Sequence, residues 1–447
     1  MTRRAAAAAL LAALLLVPVF EAPGLSAQAR TSEQRSAYGL PQALPAEVGL
    51  SAEQLARIQP LLRAAVEEGK IAGAVTLVAR HGRIASLDTA GYRRLADSAP
   101  MGAGTLFRIA SMTKPITSAA AMILIEEGRL ALSDPVARYI PEFADARVAV
   151  EHDASGTGRA ATMVPARRPV TIRDLLTHTS GLTYGYLDDG PAGDAYRAAG
   201  VSDGIAPPGA TIATMAARLG RLPLRSQPGS AFHYGLSTDV LGRVVEVVSG
   251  MTLAEFLESR LFAPLGMRDT RFDVADARSR LAVPYTPARG GLRPIAAIER
   301  FGLLRLAGDG YFGSDRYFSG GSGLVSTAAD YARFLQMILN GGTLDGVRVL
   351  APATVELLTA DAVGPLAEAF IGPGAGFSLG FKVLTDTSRT DEPGSPGALS
   401  WGGIYGTAFW ADPAEALIGI VLIQAFPTRS IDAARQVQSI MYDAILE

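Results

Sequence analysis

The sequence predicts an α+β fold in which one antiparallel sheet is built from both ends of the chain, with helices inserted between the two halves. Three observations carry this expectation. A hairpin pattern lies near the N-terminal end, strand-like runs dominate the last hundred residues, and the sequence between them reads as short helices and loops. The chain has 447 residues, 49% apolar and 19% charged, so it can bury a large core and is not of the disordered class. Its 43 acidic and 41 basic residues leave a net charge of −2, so nothing suggests a basic nucleic-acid surface or a polybasic membrane patch. Cysteine is absent, which removes thiol catalysis, zinc ribbons, iron–sulfur clusters and disulfide scaffolds together. The 4 histidines (His81, His152, His178, His233) leave little from which to build a metal site, so neither a metal nor a cofactor is expected.

The N-terminal segment reads as an export signal. Arg3 and Arg4 precede an apolar run from Ala5 to Phe20, and Ala27-Gln28-Ala29 offers small residues for cleavage. The run is shorter than the roughly 20 residues of a membrane span. Residues 1–29 are therefore expected to be a signal peptide. The mature protein is expected to be periplasmic or secreted, with no membrane span. Residues 30–45 form a polar tether, and the folded unit is expected over 45–445. Its sheet part is expected over about 45–145 and 325–445, and a mostly helical part over about 146–324.

Within that unit, Ser51 and Gln54 resemble a capping box ahead of Leu55, Ile58, Leu61, Leu62 and Ala65 at helical spacing, with a kink expected at Pro60. Ala74 to Ala79, the His81-Gly82 pair and Ile84 to Leu87 predict a β-hairpin. A helix is expected from Ser111 to a stop at Gly128. In the middle region, Val240, Leu241, Val244, Val245 and Val248 share one apolar face, and Thr252 with Glu255 caps the next helix. Thr327 to Asn340 predicts another amphipathic helix, ended by Gly341-Gly342. Phe381 to Leu384, Ala408 to Ala411 and Leu417 to Ile423 predict strands, and a helix from about Ser430 closes the chain.

The chemistry is concentrated in Ser111-Met112-Thr113-Lys114, an S-x-x-K tetrad at a helix start in a chain with only three lysines (Lys70, Lys114, Lys382). Positions i and i+3 share a helix face about 5–6 Å apart, so the lysine nitrogen can reach the serine hydroxyl. The helix start also leaves the serine N–H free and adds a positive partial charge. A lysine partly dehydrated by apolar Ile109, Ala110 and Met112 would suit a general-base role, while a capping serine followed by a solvated lysine is the equal alternative from the tetrad alone. No H-E-x-x-H pair or Walker loop competes with it.

Residues 106–114 (Leu-Phe-Arg-Ile-Ala-Ser-Met-Thr-Lys) resemble the active-site motif of the serine β-lactamase and penicillin-binding superfamily, class C branch. Leu175 to Leu182, Pro264 to Thr270 and Gly321 to Thr327 resemble further blocks of that family, in the family's order. The resemblance implies a β-lactamase/transpeptidase-like fold and a catalytic tyrosine, which falls on Tyr234 in Phe232-His233-Tyr234-Gly235-Leu236. The asparagine of the family's Tyr-x-Asn motif is replaced by Leu236. Trp401-Gly402-Gly403 resembles the Trp-Gly-Gly variant of the family VIII carboxylesterases. It takes the place of a Lys-Thr-Gly strand and implies substrate contacts there. By the same resemblance, the N–H groups of Ser111 and Ile404 form an oxyanion hole. An uncharged Trp401 favours an ester over a carboxylate-bearing β-lactam. The expectation is an exported, cofactor-free serine hydrolase acting on small-molecule esters. A β-lactamase or D,D-peptidase is the second reading, and a catalytically silent wall-recognition module the third.

Overall fold

The computed structural model describes residues 39–151, 161–205, 209–308, 317–428 and 431–446. The apolar N-terminal run, the Ala27-Gln28-Ala29 site, His152 and the start of the last helix at Ser430 lie outside the described residues. The central sheet has eight strands: β1 (Gly73–Arg80), β2 (Arg83–Arg94), β3 (Ala99–Pro100), β4 (Ala375–Phe377), β5 (Lys382–Leu384), β6 (Leu399–Gly403), β7 (Thr407–Asp412) and β8 (Leu417–Ile423). Their order across the sheet is β4-β5-β6-β7-β8-β1-β2-β3, and every neighbouring pair is antiparallel. The N-terminal hairpin and the C-terminal meander thus meet where β1 pairs with β8, Val75 opposite Leu422 and Leu77 opposite Ile420. His81 (φ 52°) and Gly82 (φ 74°) supply the two left-handed positions that a tight β1–β2 turn needs.

Burial explains why β1 and β8 read as unbroken apolar runs. Side chains alternate between faces, and here both faces are covered. Val75, Leu77, Ile418, Ile420 and Leu422 enter the main core on one side. Ala74, Val78, Leu417, Val421 and Ile423 enter a second core on the other, against Ile58 and Leu62 of the Ile58–Glu67 helix and Val437 and Met441 of the Ile431–Asp443 helix. The main core is closed by α1 (Thr113–Glu126), α2 (Ser237–Ser249) and α3 (Ala328–Leu339). All residues of α1 from Thr113 to Leu124 are buried, so this is a helix with no solvent face.

Two features depart from the sequence expectation. Ser51 does cap, its side chain accepting from the Gln54 N–H at 3.2 Å, but the helix breaks into Ala52–Leu55 and Ile58–Glu67. The break precedes Pro60, which sits in the first turn of the second piece, where a missing N–H costs nothing. Between the sheet halves, three two-stranded hairpins accompany the helices: Arg147–Glu151 with Ala161–Pro165, Tyr285–Ala288 with Gly291–Pro294, and Ile298–Phe301 with Leu304–Ala307. Four of their six strands are largely exposed and carry arginine, glutamate or proline, while Tyr285, Leu304 and Leu306 of the other two are buried in small satellite clusters.

The end of β6 docks directly on the turn that carries Ser111. A Cβ added to Gly403 would stand 2.4 Å from the Ile109 carbonyl oxygen and 2.3 Å from Thr407 Oγ1, while Thr407 Oγ1 donates to that same carbonyl at 3.3 Å. Gly403→Ala is therefore expected to cost about 1–3 kcal/mol, as other overpacked sites do. The loss should be measurable as a lower Tm and should be accompanied by loss of Ser111 reactivity, because the strained contact is the backbone beside Ser111.

Candidate active site

The short strand Phe107–Arg108 pairs with Val325–Ser326 and delivers the chain into a tight turn at Ile109 and Ala110. Ala110 has φ of 44°, a conformation a residue with a Cβ adopts only when its surroundings impose it. Those surroundings are visible. The Ile109 N–H donates to Leu324 O at 3.1 Å, Thr113 Oγ1 accepts from the Leu324 N–H at 3.2 Å, and Tyr331 Oη donates to Met112 O at 2.9 Å. The result is that Ala110 and Met112 point into the core while Ser111 between them is half-exposed, the posture a nucleophile requires.

One helical turn on, Lys114 is only 1% exposed. Its Nζ donates to Ser111 Oγ at 3.3 Å, to Tyr184 Oη at 3.0 Å and to the Gly321 carbonyl at 2.9 Å. The S-x-x-K spacing thus brings its two reactive atoms together as expected. Tyr234 meets the same lysine with its ring face, whose centroid is 4.6 Å from Nζ. The phenol that accepts from the lysine here is that of Tyr184, which the sequence reading passed over. Its signal was its place, two residues beyond the Leu175–Leu182 block. Leu236, which replaces the family's asparagine, is buried, and Tyr184 with Gly321 O supplies the polar contacts that an asparagine amide would have offered.

An aromatic wall surrounds these groups. Tyr234 stacks on Phe370 at 5.1 Å and packs against Trp401 at 5.3 Å, Tyr184 at 5.5 Å and His178 at 5.0 Å. Trp401 in turn meets Phe377 edge-on at 5.3 Å. His178 therefore does more than end a helix. It lies in the left-handed region at φ 56°, fully inside this wall, and its carbonyl accepts from the His233 N–H at 2.8 Å, tying the Tyr234 segment in place. Burial, with the Lys114 charge adding to it, pushes the His178 imidazole well below its ordinary range, so it is a neutral packing group.

Trp401, Gly402 and Gly403 form the end of β6, and Ile404 opens the turn into β7. Ile404 and Ala110 pack in one small apolar cluster with Tyr405 and Ile205, which places the Ile404 backbone beside the Ser111 turn. The remaining lysine of this sheet edge, Lys382, is bound to Glu392. Behind Lys114 lies a buried carboxyl that sequence reading also missed, Asp239 in α2. Its Oδ1 accepts from Ser319 Oγ at 2.7 Å and Tyr317 Oη at 3.3 Å. Nearby, burial raises the Asp203 carboxyl to about 6 despite the Gly185 N–H it accepts. Among the described residues no cluster of histidine and carboxylate side chains could hold a metal ion.

Tyr184→Phe removes one of the three acceptors of a buried cation. A buried charged donor left without its partner costs about 1–3 kcal/mol. The variant is expected to melt at lower temperature and to lose roughly tenfold in kcat. An unchanged kcat would make Tyr184 a bystander.

The Beta-lactamase family model matches residues 58–440. Protein Rv1367c of Mycobacterium tuberculosis is 40% identical over 391 residues, covering 85% of this chain and 92% of that protein. Esterase EstB of Burkholderia gladioli is 36% identical over 387 residues, covering 85% and 92% respectively. Among solved structures, EstCE1, a hydrolase with promiscuous acyltransferase activity, superposes with a TM-score of 0.77 at 33% identity, covering 87% of this chain and 99% of its own. The match runs from the first core helix to the last and includes the S-x-x-K turn, the sheet and its two-ended assembly, so the chain belongs to the beta-lactamase family, as a serine hydrolase of its esterase-like kind.

Proposed function

We propose that this protein is an exported hydrolase of neutral carboxylic esters, acting through an acyl-enzyme on Ser111. The observation that carries the reading is the pairing of a half-exposed Ser111 Oγ, 3.3 Å from a fully enclosed Lys114 Nζ, with an uncharged aromatic wall in place of a cationic strand. Ser111 Oγ attacks the ester carbonyl while Lys114 and Tyr234 manage its proton. The N–H groups of Ser111 and Ile404 are assigned to the oxyanion. Such donors are worth roughly 3–4 kcal/mol each because they act where charge develops. The leaving alcohol takes the proton, and water then releases the acyl group by the same steps in reverse order. No cofactor enters these steps. Trp401, with Phe377 beside it and Phe370 stacked on the neighbouring Tyr234, offers an apolar surface to the acyl or alcohol part, and Gly402 and Gly403 let the strand backbone approach the substrate. The esterase names of EstB and EstCE1 agree with this assignment.

Fluorophosphonate treatment should label the peptide containing Ser111, and labelling should disappear in Ser111→Ala. Lys114→Ala and Tyr234→Phe should each lower kcat at least about 100-fold, the lower range for acid–base groups. Short-chain p-nitrophenyl esters should exceed a chromogenic cephalosporin in kcat/KM. Trp401→Lys should move that ratio toward the cephalosporin by about 10- to 150-fold, the value of one charge-assisted hydrogen bond. A wild-type preference for the cephalosporin would establish the β-lactamase reading instead.

Export rests on Arg3-Arg4, the apolar run and Ala27-Gln28-Ala29. N-terminal sequencing of protein recovered from its native host should begin at about residue 28–30, the small-residue site. Recovery of intact Met1 in a membrane fraction would identify an anchor.

A further inference from the structure

The Lys114 nitrogen faces three oxygen acceptors: a serine hydroxyl, a phenol and a backbone carbonyl. The carbonyl can only accept, so at least one N–H must point there. An ammonium satisfies all three positions with its three N–H donors and keeps no lone pair. A buried ammonium nevertheless requires a counter-charge, since desolvation of an unpaired ion is severe. Tyr184, Tyr234 and His178 face it from the segments before α2, and burial raises the Tyr184 phenol and keeps His178 neutral, so neither supplies that charge. Asp239 reaches the site from α2 itself.

We propose that Asp239 is the buried counter-charge that holds Lys114 as an ammonium, acting through the Gly321 backbone wedged between them. The geometry is close on both sides of Gly321. Its carbonyl accepts from Nζ at 2.9 Å, and a Cβ placed on it would stand 2.5 Å from Asp239 Oδ2 and 3.4 Å from Tyr184 Oη. Only glycine lets the carboxylate and the lysine share one peptide unit. Asp239 is fully enclosed, and while Ser319 and Tyr317 serve Oδ1, Oδ2 is buried without a well-aligned donor. An ionised carboxylate in that setting persists only if a nearby positive charge offsets it, and Lys114 is the cation whose charge acts on it. Burial raises the Asp239 carboxyl on balance, and the Ser319 hydroxyl, Lys114, the Tyr317 hydroxyl and the Gly321 N–H pull it back toward ionisation. The Asp239 charge in turn helps raise the neighbouring Asp203 carboxyl, an effect that Arg197 and Arg305 moderate. Asp239 is thus a positioning residue. It leaves Lys114 able to donate to Ser111 Oγ and Tyr184 Oη but unable to accept the Ser111 proton. Transfer of the Ser111 proton then falls to Tyr234.

The test is a thermal double-mutant cycle of Asp239→Asn, Lys114→Met and the double variant, none of whose readouts depends on the substrate. Asp239→Asn should lower Tm when Lys114 is present and raise it in the Lys114→Met background, where it removes an unpaired carboxylate. An equal effect in both backgrounds overturns the proposal and means that Asp239 is neutral or uncoupled. Should Asp239→Asn alone fail to fold, recovery of folding in the double variant supports the pairing, and failure of both counts against it. A kinetic arm rests on the hydrolase reading. With p-nitrophenyl butyrate, the alkaline limb of kcat/KM should move at least about one pH unit lower in Asp239→Asn, the low end for losing a nearby opposite charge. A uniformly reduced rate with unmoved limbs would assign Asp239 a structural role only. If no ester is hydrolysed at all, the esterase reading fails while the stability cycle still decides the charge pair.

Discussion

A lysine side chain taken almost wholly out of water must find an acceptor for each of its N–H donors, and much of this molecule is arranged around that demand. Lys114 belongs to α1, a helix with no solvent face, so its ammonium cannot escape to the surface. Its acceptors come from three distant parts of the chain: the serine one turn back, the tyrosine beyond the Leu175–Leu182 block, and the glycine-rich segment before α3. The last of these explains the run Gly320-Gly321-Ser322-Gly323. A Cβ at Gly320 would meet Thr238 O at 2.5 Å, and one at Gly323 would meet Phe272 at 2.8 Å. The backbone is threaded between α1 and α2 so closely that side chains are excluded, and its carbonyl is thereby brought to the lysine.

The same crowding sets the polarity of the site. His178, Tyr184, Phe370 and Trp401 pack around Tyr234, and the ring faces of Tyr184 and Tyr234 stabilise the Lys114 cation without adding a formal charge. The cation is therefore held at the nucleophile, and the wall that a substrate meets at Trp401 is uncharged. Family membership alone does not distinguish ester from β-lactam chemistry. The placement of charge within the pocket is the physical property that bears on it.

What could be read from the sequence was local or periodic. The S-x-x-K pair follows from helix geometry, the His81-Gly82 turn from left-handed propensity, and the two-ended sheet from apolar runs near both termini. Tyr184 and Asp239 were not legible because their roles depend on contacts 70 and 78 residues away in sequence, to Lys114 and Tyr317 respectively. A buried aspartate in an otherwise apolar helix face looks the same as a solvated one until packing is known. The three hairpins between the sheet halves escaped for the opposite reason. Their strands are only four or five residues long and most are exposed, so burial imposes little two-residue alternation on them.

The pairing of β1 with β8 has a consequence in time as well as space. A chain emerging N-terminus first carries β1, β2 and the S-x-x-K helix early, but the strand that covers the inner edge of β1 ends at Ile423, close to the far terminus. Until that segment is available, Val75 and Leu77 lack their neighbours on that side, and the β4–β7 meander that ends at the Ser111 turn is not joined to the N-terminal hairpin. Closure of so long a loop is slow, and nothing local substitutes for it. The nucleophile is thus the product of the last folding event rather than the first, and a chain cut short after Trp401 would hold every catalytic side chain without the site they form.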